Sequence, residues 1–222
     1  HLWPDESLRF GSAVLSRWPI DEATYHPLPV ADATDDPFVT GVPWEMLHVR
    51  TACLDVFSCH LAAAPTHNVH RRAQVLAIDD IVRSVHPAPA LVPGQPVDDM
   101  PPIVCGDFNA EPDSDEIRFL CSLSVLEGRS AFYQDAWRMA GDGPGFTQDW
   151  RTNSMADAMN INRKRIDYVF VGDGFMRRGS AGRVLRAELA FHEPLTGCLA
   201  SDHAGLVVDV AWPQRPGGGA AR

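Results

Sequence analysis

Ile103-Val104-Cys105-Gly106-Asp107-Phe108-Asn109 carries three apolar residues into a glycine, an acid, an aromatic ring and an amide. The apolar start reads as a short buried strand, and the polar end as the point where that strand leaves its sheet. Asp107 and Asn109 are separated by one residue, so on an extended backbone their side chains project to the same side. A carboxylate in that position takes a proton or ligates a hard cation, and the amide beside it holds a water or a phosphoryl oxygen. Gly, Asp and Asn are also turn formers, so the segment by itself reads equally well as a turn.

Upstream, Ala52 to His60 alternates as a strand should, with Cys53, Asp55, Phe57 and Cys59 on one side. Cys53 and Cys59 are read as small buried hydrophobes on that side. Ser12 to Arg17 and Met46 to Arg50 are expected to be short strands, with Asp21 to Pro43 a long surface connection. Asn68 to Val85 has helical spacing behind an Asn cap and stops at His86-Pro87. Residues 87–102 hold six prolines and read as a loop. Asp113-x-x-Glu116 resembles a capping box ahead of a helix facing Ile117, Leu120 and Cys121 inward. A short helix is expected around Phe132 to Met139, and strands over Arg165–Val171, Val184–Phe191 and Gly205–Val210. Strands interspersed with helices predict a layered α/β architecture in one domain over 1–212, with a disordered Gly- and Pro-rich tail over 213–222.

Three further polar clusters fall at strand ends, where loops gather side chains over a rigid sheet. Arg165-Ile166-Asp167-Tyr168 places an acid within an apolar strand, where it needs a partner. Ser201-Asp202-His203 sets an acid and an imidazole just before the last strand; pairing with Asp167 would favour the charged imidazole and make it a phosphoryl donor. His60 ends the alternating strand. Taken singly, Asp202-His203 also reads as a capped polar loop and His60 as a satisfied core or surface residue. Together, His60, Asp107, Asn109, Asp167, Asp202 and His203 supply carboxylates for a Mg²⁺-type ion and donors for a phosphoryl group, the requirements of phosphoester hydrolysis.

The formal charge of −10 argues against a surface built to hold a polyanion, although a bound cation would balance part of it. Five cysteines without a CxxC pair fit neither structural zinc nor a disulfide framework and favour a reducing, cytoplasmic compartment. Nine histidines without an HExxH run speak against a zinc hydrolase. No apolar stretch reaches the roughly 18 residues of a membrane span.

Gly11-Ser-Ala-Val-Leu-Ser-Arg-Trp-Pro-Ile20, Ser58-Cys-His-Leu61, Gly106-Asp-Phe-Asn109, Arg165-Ile-Asp-Tyr168 and Ser201-Asp-His203 resemble, in order, motifs of the endonuclease/exonuclease/phosphatase superfamily, the group of deoxyribonuclease I, exonuclease III-like and neutral sphingomyelinase-like enzymes. The resemblance spans about 11–210 and implies a four-layer α/β sandwich, two packed β-sheets flanked by helices, with the site at one edge. It implies a divalent-metal-dependent phosphoesterase, such as a phosphodiesterase or nuclease, that hydrolyses a phosphodiester or phosphomonoester by in-line attack of an activated water and uses Mg²⁺, with Mn²⁺ as a substitute. Asp107 would activate the attacking water with help from Asn109, which also contacts phosphate. Asp202 would join Asp107 and Asn109 in the metal shell. His203, held by Asp167, and His60 would stabilise charge on the phosphoryl oxygens. Within the family the base is argued to be either the aspartate or the histidine, and that choice stays open.

The superfamily's first strand carries an Asn and its second a Gln-Glu whose Glu ligates metal. Neither pattern is present, and Glu6 and Glu45 lie in the wrong context. The domain is therefore expected to be N-terminally truncated, either a piece of an enzyme or a homologue that lost its metal centre and acts as a binding module. Retention of five motifs favours the enzyme. The acidic surface favours a small or lipid phosphoester over long DNA. Arg163-Lys164-Arg165 and Arg71-Arg72 are short basic runs, and the first of them suits any phosphate. Arg72 and Gln74 are read as a helix-surface pair or packing residues, and Gly145 to Asn153 as a loop near the site with no role beyond substrate contact. The oligomeric state has no signature in the sequence.

Overall fold

The computed structural model describes residues 11–31, 34–89, 92–93 and 95–213. Glu6 and nearly all of the expected tail lie outside them. The chain forms a six-stranded sheet in the order β1-β2-β3-β4-β6-β5 and a two-stranded sheet of β7 and β8. These strands are β1 (Ile20–Pro27), β2 (Glu45–Thr51), β3 (Leu54–His60), β4 (Ile103–Asp107), β5 (Tyr133–Asp135), β6 (Asp167–Gly172), β7 (Val184–Ala190) and β8 (Gly205–Val210). Helices are few, and all but one are short: α1 (Pro37–Thr40), α2 (Asn68–Val85), α3 (Asp115–Leu120), α4 (Ala136–Ala140) and α5 (Ser154–Ala158). Large sheet, second sheet and flanking helices make the mixed α/β sandwich that the motifs imply.

Strand parity divides the core. Phe57, Val104 and Phe170 sit side by side on β3, β4 and β6, and they join Val75, Ile78 and Val82 of α2 in the main core. The apolar positions of α2 recur at helical spacing, so one face of that helix closes over the sheet. Val169 and Val171 point the other way. There they meet Val184, Val208 and Val210 of the small sheet.

Several expectations need correction. Residues 12–17 are not a strand; the edge strand is instead Ile20–Pro27, within the stretch read as a connection. An edge strand exposes most of its side chains, so its polar sequence carries no alternation to detect. Cys53 is exposed, because Ala52 and Cys53 form the two-residue turn between Thr51 and Leu54. The cap of α2 is His67 and not Asn68. Ser114 caps α3 by accepting from Ile117 N, while Glu116 is buried against Arg71 at 3.1 Å. The helix expected over 132–139 is β5 followed by α4. Arg72 takes no part in an ion pair among the described residues; its neighbour Arg71 donates to the carbonyls of Ala62 and Ala64, and Gln74 Oε1 accepts from Ala62 N at 3.0 Å. Together they brace the chain just beyond His60.

A buried polar network lies at the far end of β3. Asp55 accepts from His48 Nε2 at 2.8 Å, His86 Nδ1 at 2.9 Å and Arg50 Nε at 2.9 Å. Burial pushes its carboxyl up, but the hydrogen bonds from His86 and His48 and the Arg50 charge outweigh that and hold it at about 2. A depressed acid stabilises the fold above its unfolded value near 3.8 and loses that contribution as pH falls towards 2. Asp55→Asn is expected to cost about 2 kcal/mol at pH 7 and to flatten the stability profile below pH 4, read by urea unfolding across that range.

Gly106 adopts φ +135°, and a Cβ there would stand 1.9 Å from the Cys59 carbonyl oxygen. Only glycine lets β4 run this close to β3. Gly106→Ala is expected to destabilise the chain by at least about 2 kcal/mol in the same assay, since backbone must move to admit the methyl group.

Candidate active site

Pairing register brings three of the polar residues together. His60 of β3 is opposite Asp107 of β4, and Asp107 is opposite Asp167 of β6. Each lies three residues from the Phe57, Val104 and Phe170 row, so all three turn to the opposite face, where the small sheet packs. His203 arrives on that face from the loop that leads into β8.

His203 Nδ1 is 2.8 Å from Asp167 Oδ2, and His60 Nε2 is 3.5 Å from Asp107 Oδ2. Asp107, Asp167 and His203 offer ligand atoms that all lie within 4.8 Å of one another. Asp202 stands beside this cluster, its Oδ2 3.7 Å from His203 Nε2. Asn109 does not share Asp107's direction through an extended backbone. It turns at φ +49°, its N–H donates to Asp107 Oδ1 at 2.7 Å, and its Nδ2 donates to the Leu61 carbonyl at 3.0 Å. The strand ends at Asp107 in an Asx turn, so the turn reading and the site reading of this segment both hold.

The electrostatics follow from crowding. Burial and the neighbouring Asp167 charge push the Asp107 carboxyl well above the usual carboxylate range. Burial pulls the His203 imidazole down, but its hydrogen bond to Asp167 and the charges of Asp167, Asp107 and Asp202 outweigh that and raise it. His60 is lowered by burial and by His203, with Asp167 opposing. Two adjacent carboxylates over a half-buried surface are poorly compensated by one imidazolium, and a hard divalent cation matches their oxygen donors.

Sequence reading placed Gly145 to Asn153 near the site but missed the roles of two of its residues. Thr147 Oγ1 accepts from the N–H groups of Ile166 and Asp167 at 3.2 and 3.3 Å, and its carbonyl accepts from Ala204 N at 2.7 Å. It clasps the start of β6 to the residue after His203. Gln148 Nε2 donates to His203 Nε2 at 2.8 Å and reaches Asp202 Oδ2 at 3.4 Å. That contact suits a neutral ring with its proton on Nδ1; an imidazolium requires the amide turned so that its oxygen faces Nε2. Both residues are buried polar groups in a glycine-bearing segment, and the only signal in the sequence was polarity between two motif-bearing stretches.

The sequence matches the Endonuclease/Exonuclease/phosphatase family over residues 2–203. No curated protein matches it. Among solved structures, truncated TDP2 from Caenorhabditis elegans superposes with a TM-score of 0.55 at 20% identity, covering 87% of this chain and 66% of that one. Beta toxin from Staphylococcus aureus gives 0.58 at 17% identity, with 87% and 65% covered. The human Nocturnin catalytic domain gives 0.52 at 17% identity, with 88% and 60% covered. The chain thus spans about half to two thirds of the length of the solved structures it is similar to. At such identities the likeness shows the shared fold. The family match over most of the chain, on a sandwich whose strand ends gather Asp107, Asp167, His60 and His203, places the protein in the Endonuclease/Exonuclease/phosphatase family.

Proposed function

We propose that the chain is a divalent-metal-dependent phosphoesterase that hydrolyses a P–O bond by in-line attack of water. The observation that carries this reading is the gathering of Asp107, Asp167 and His203 within ligand distance of one another at the rim of the sheet. Asp107 and Asp167 would hold Mg²⁺ or Mn²⁺, with Asp202 and Asn109 at the margin of the same cluster. Bound there, the cation supplies Lewis-acid polarisation of a phosphoryl oxygen.

The chain's own groups do the rest. Asp107 accepts the proton of the attacking water. Asn109 keeps that carboxylate in place through its backbone N–H. His203, anchored at Nδ1 by Asp167, turns Nε2 to a phosphoryl oxygen once Gln148 yields that contact. His60 donates a second N–H to the same group. As the water oxygen bonds to phosphorus, the ester oxygen departs with its electron pair and is protonated by solvent. The substrate is a small or lipid phosphoester in preference to long duplex DNA, because the net charge of −10 opposes a polyanion.

Asp107→Ala is expected to lower kcat/KM for bis(p-nitrophenyl) phosphate with Mg²⁺ by about 10²-fold or more, and His203→Gln by about 10²-fold. Activity in the wild type that survives Asp107→Ala, or that persists in EDTA, would overturn the mechanism. Cation binding has its own readout. Metal-free Asp107→Asn is expected to be more stable than wild type at neutral pH by about 1 kcal/mol, or roughly 3 °C in Tm, because one of two repelling carboxylates is gone. Added Mg²⁺ or Mn²⁺ should raise the Tm of wild type and leave that of Asp107→Asn unmoved.

A further inference from the structure

We propose that the pocket beside Asn109 binds a second phosphate of the substrate, next to the one being hydrolysed. The inference rests on the phosphoesterase reading of the neighbouring cluster and adds a substrate class to it.

The basic run Arg163-Lys164-Arg165 is divided by the fold. Arg165 is buried and paired with both oxygens of Asp135 at 3.0 and 2.8 Å. Arg163 donates to Asp149 at 2.9 Å and lies over the Phe146 ring at 4.3 Å. Both arginines are consumed by structure. Lys164, the single lysine of the chain, forms no ion pair among the described residues.

Its backbone is nonetheless fixed. Lys164 and Gln148 exchange both main-chain hydrogen bonds, at 2.9 and 3.0 Å, and Gln148 is the residue whose side chain meets His203. Lys164 lines a cavity of about 320 Å³ together with Asn109, Gln148, Asn160 and Asn162. Asn109 and Gln148 belong to the catalytic cluster as well, so the cavity opens directly beside it. Its lining contains no acid, in a chain whose net charge is −10; the Asn109 and Gln148 amides are engaged with Leu61, His203 and Asp202, which leaves the Asn160 and Asn162 amides and the Lys164 ammonium as its donors. A compact ammonium carries three rotatable donors without fixed planar geometry, which suits a tetrahedral phosphate, and side-chain amides add further N–H donors. The volume is at the lower end for small-ligand sites and fits one phosphate with part of the alcohol that carries it.

The same chemistry is presented by a terminally phosphorylated oligonucleotide and by a polyol or lipid headgroup bearing an extra phosphate. The test compares thymidine dinucleotide with and without a terminal phosphate, and glycerophosphoinositol with and without ring phosphates. For wild type, kcat/KM is expected to be about tenfold higher for the phosphorylated member of at least one pair. The pair that responds identifies the source. In Lys164→Gln that ratio should fall to about one, and Lys164→Arg should recover part of it, since charge is retained. A wild-type ratio near one for both pairs, or a ratio unchanged in Lys164→Gln, would overturn the proposal. Should no ester be turned over, calorimetry with inorganic pyrophosphate decides the pocket separately: saturable binding lost in Lys164→Gln supports it, and absent or unchanged binding sinks it.

Discussion

Main-chain hydrogen bonding between β3, β4 and β6 is the constraint from which the site follows. Once His60 is opposite Asp107 and Asp107 opposite Asp167, three chemically active side chains share one face without any loop having to position them. A one-residue slip of β4 would turn Asp107 into the α2-facing core and bring Gly106 or Phe108 to the rim. Gly106 protects that register, because its missing side chain is what allows β4 to approach the Cys59 carbonyl. Aromatic packing defends it from the other face, where Phe108, Tyr168 and Phe170 form a mutually contacting set. Site and core are two sides of one alignment.

Two acidic centres on the large sheet show what partners do to a carboxylate. Asp55 is surrounded by two imidazoles and a guanidinium and is held low. Asp107 is half-buried beside another carboxylate and is held high. Burial raises both; the difference is the sign of the neighbouring charge. The first arrangement is complete within the protein and stabilises it. The second is unfavourable within the protein alone, and that imbalance is what supports the proposal of a cation there.

Much of this was legible in the chain. Apolar runs flanked by polar residues located β3, β4, β6 and β8, and with them His60, Asp107, Asp167 and His203 at or beside the strand ends, where loops gather polar side chains. The helical period of Asn68–Val85 was equally plain. What stayed hidden depends on contacts between distant segments. Gln148 and Thr147 matter through partners 55 and 57 residues away, which local pattern does not encode. The polar edge strand β1 and the Ser114 cap were misread, and Asn109's turn stood only as one of two readings, because several backbone states suit the same residues and tertiary pairing chooses among them. Lys164 was visible only as part of a basic run, and the neutralisation of its two neighbours appears only in the fold.

The unequal size of the two cores has a dynamic consequence. Asp107, Asp167 and His60 belong to the large sheet, which rests on an extensive cluster including Phe57, Val104 and Phe170. His203 belongs to the approach to β8, whose sheet is secured by a much smaller set around Val171 and Val184. Local opening free energy scales with such packing, so the small sheet is the weaker cooperative unit. Its excursions would break the Ala204 contact to Thr147 and lift His203 from Asp167 and Gln148 while the large sheet keeps its hydrogen bonds. On warming, the histidine–aspartate pair would thus part before the molecule unfolds, leaving a temperature range in which the protein is folded and its site is open.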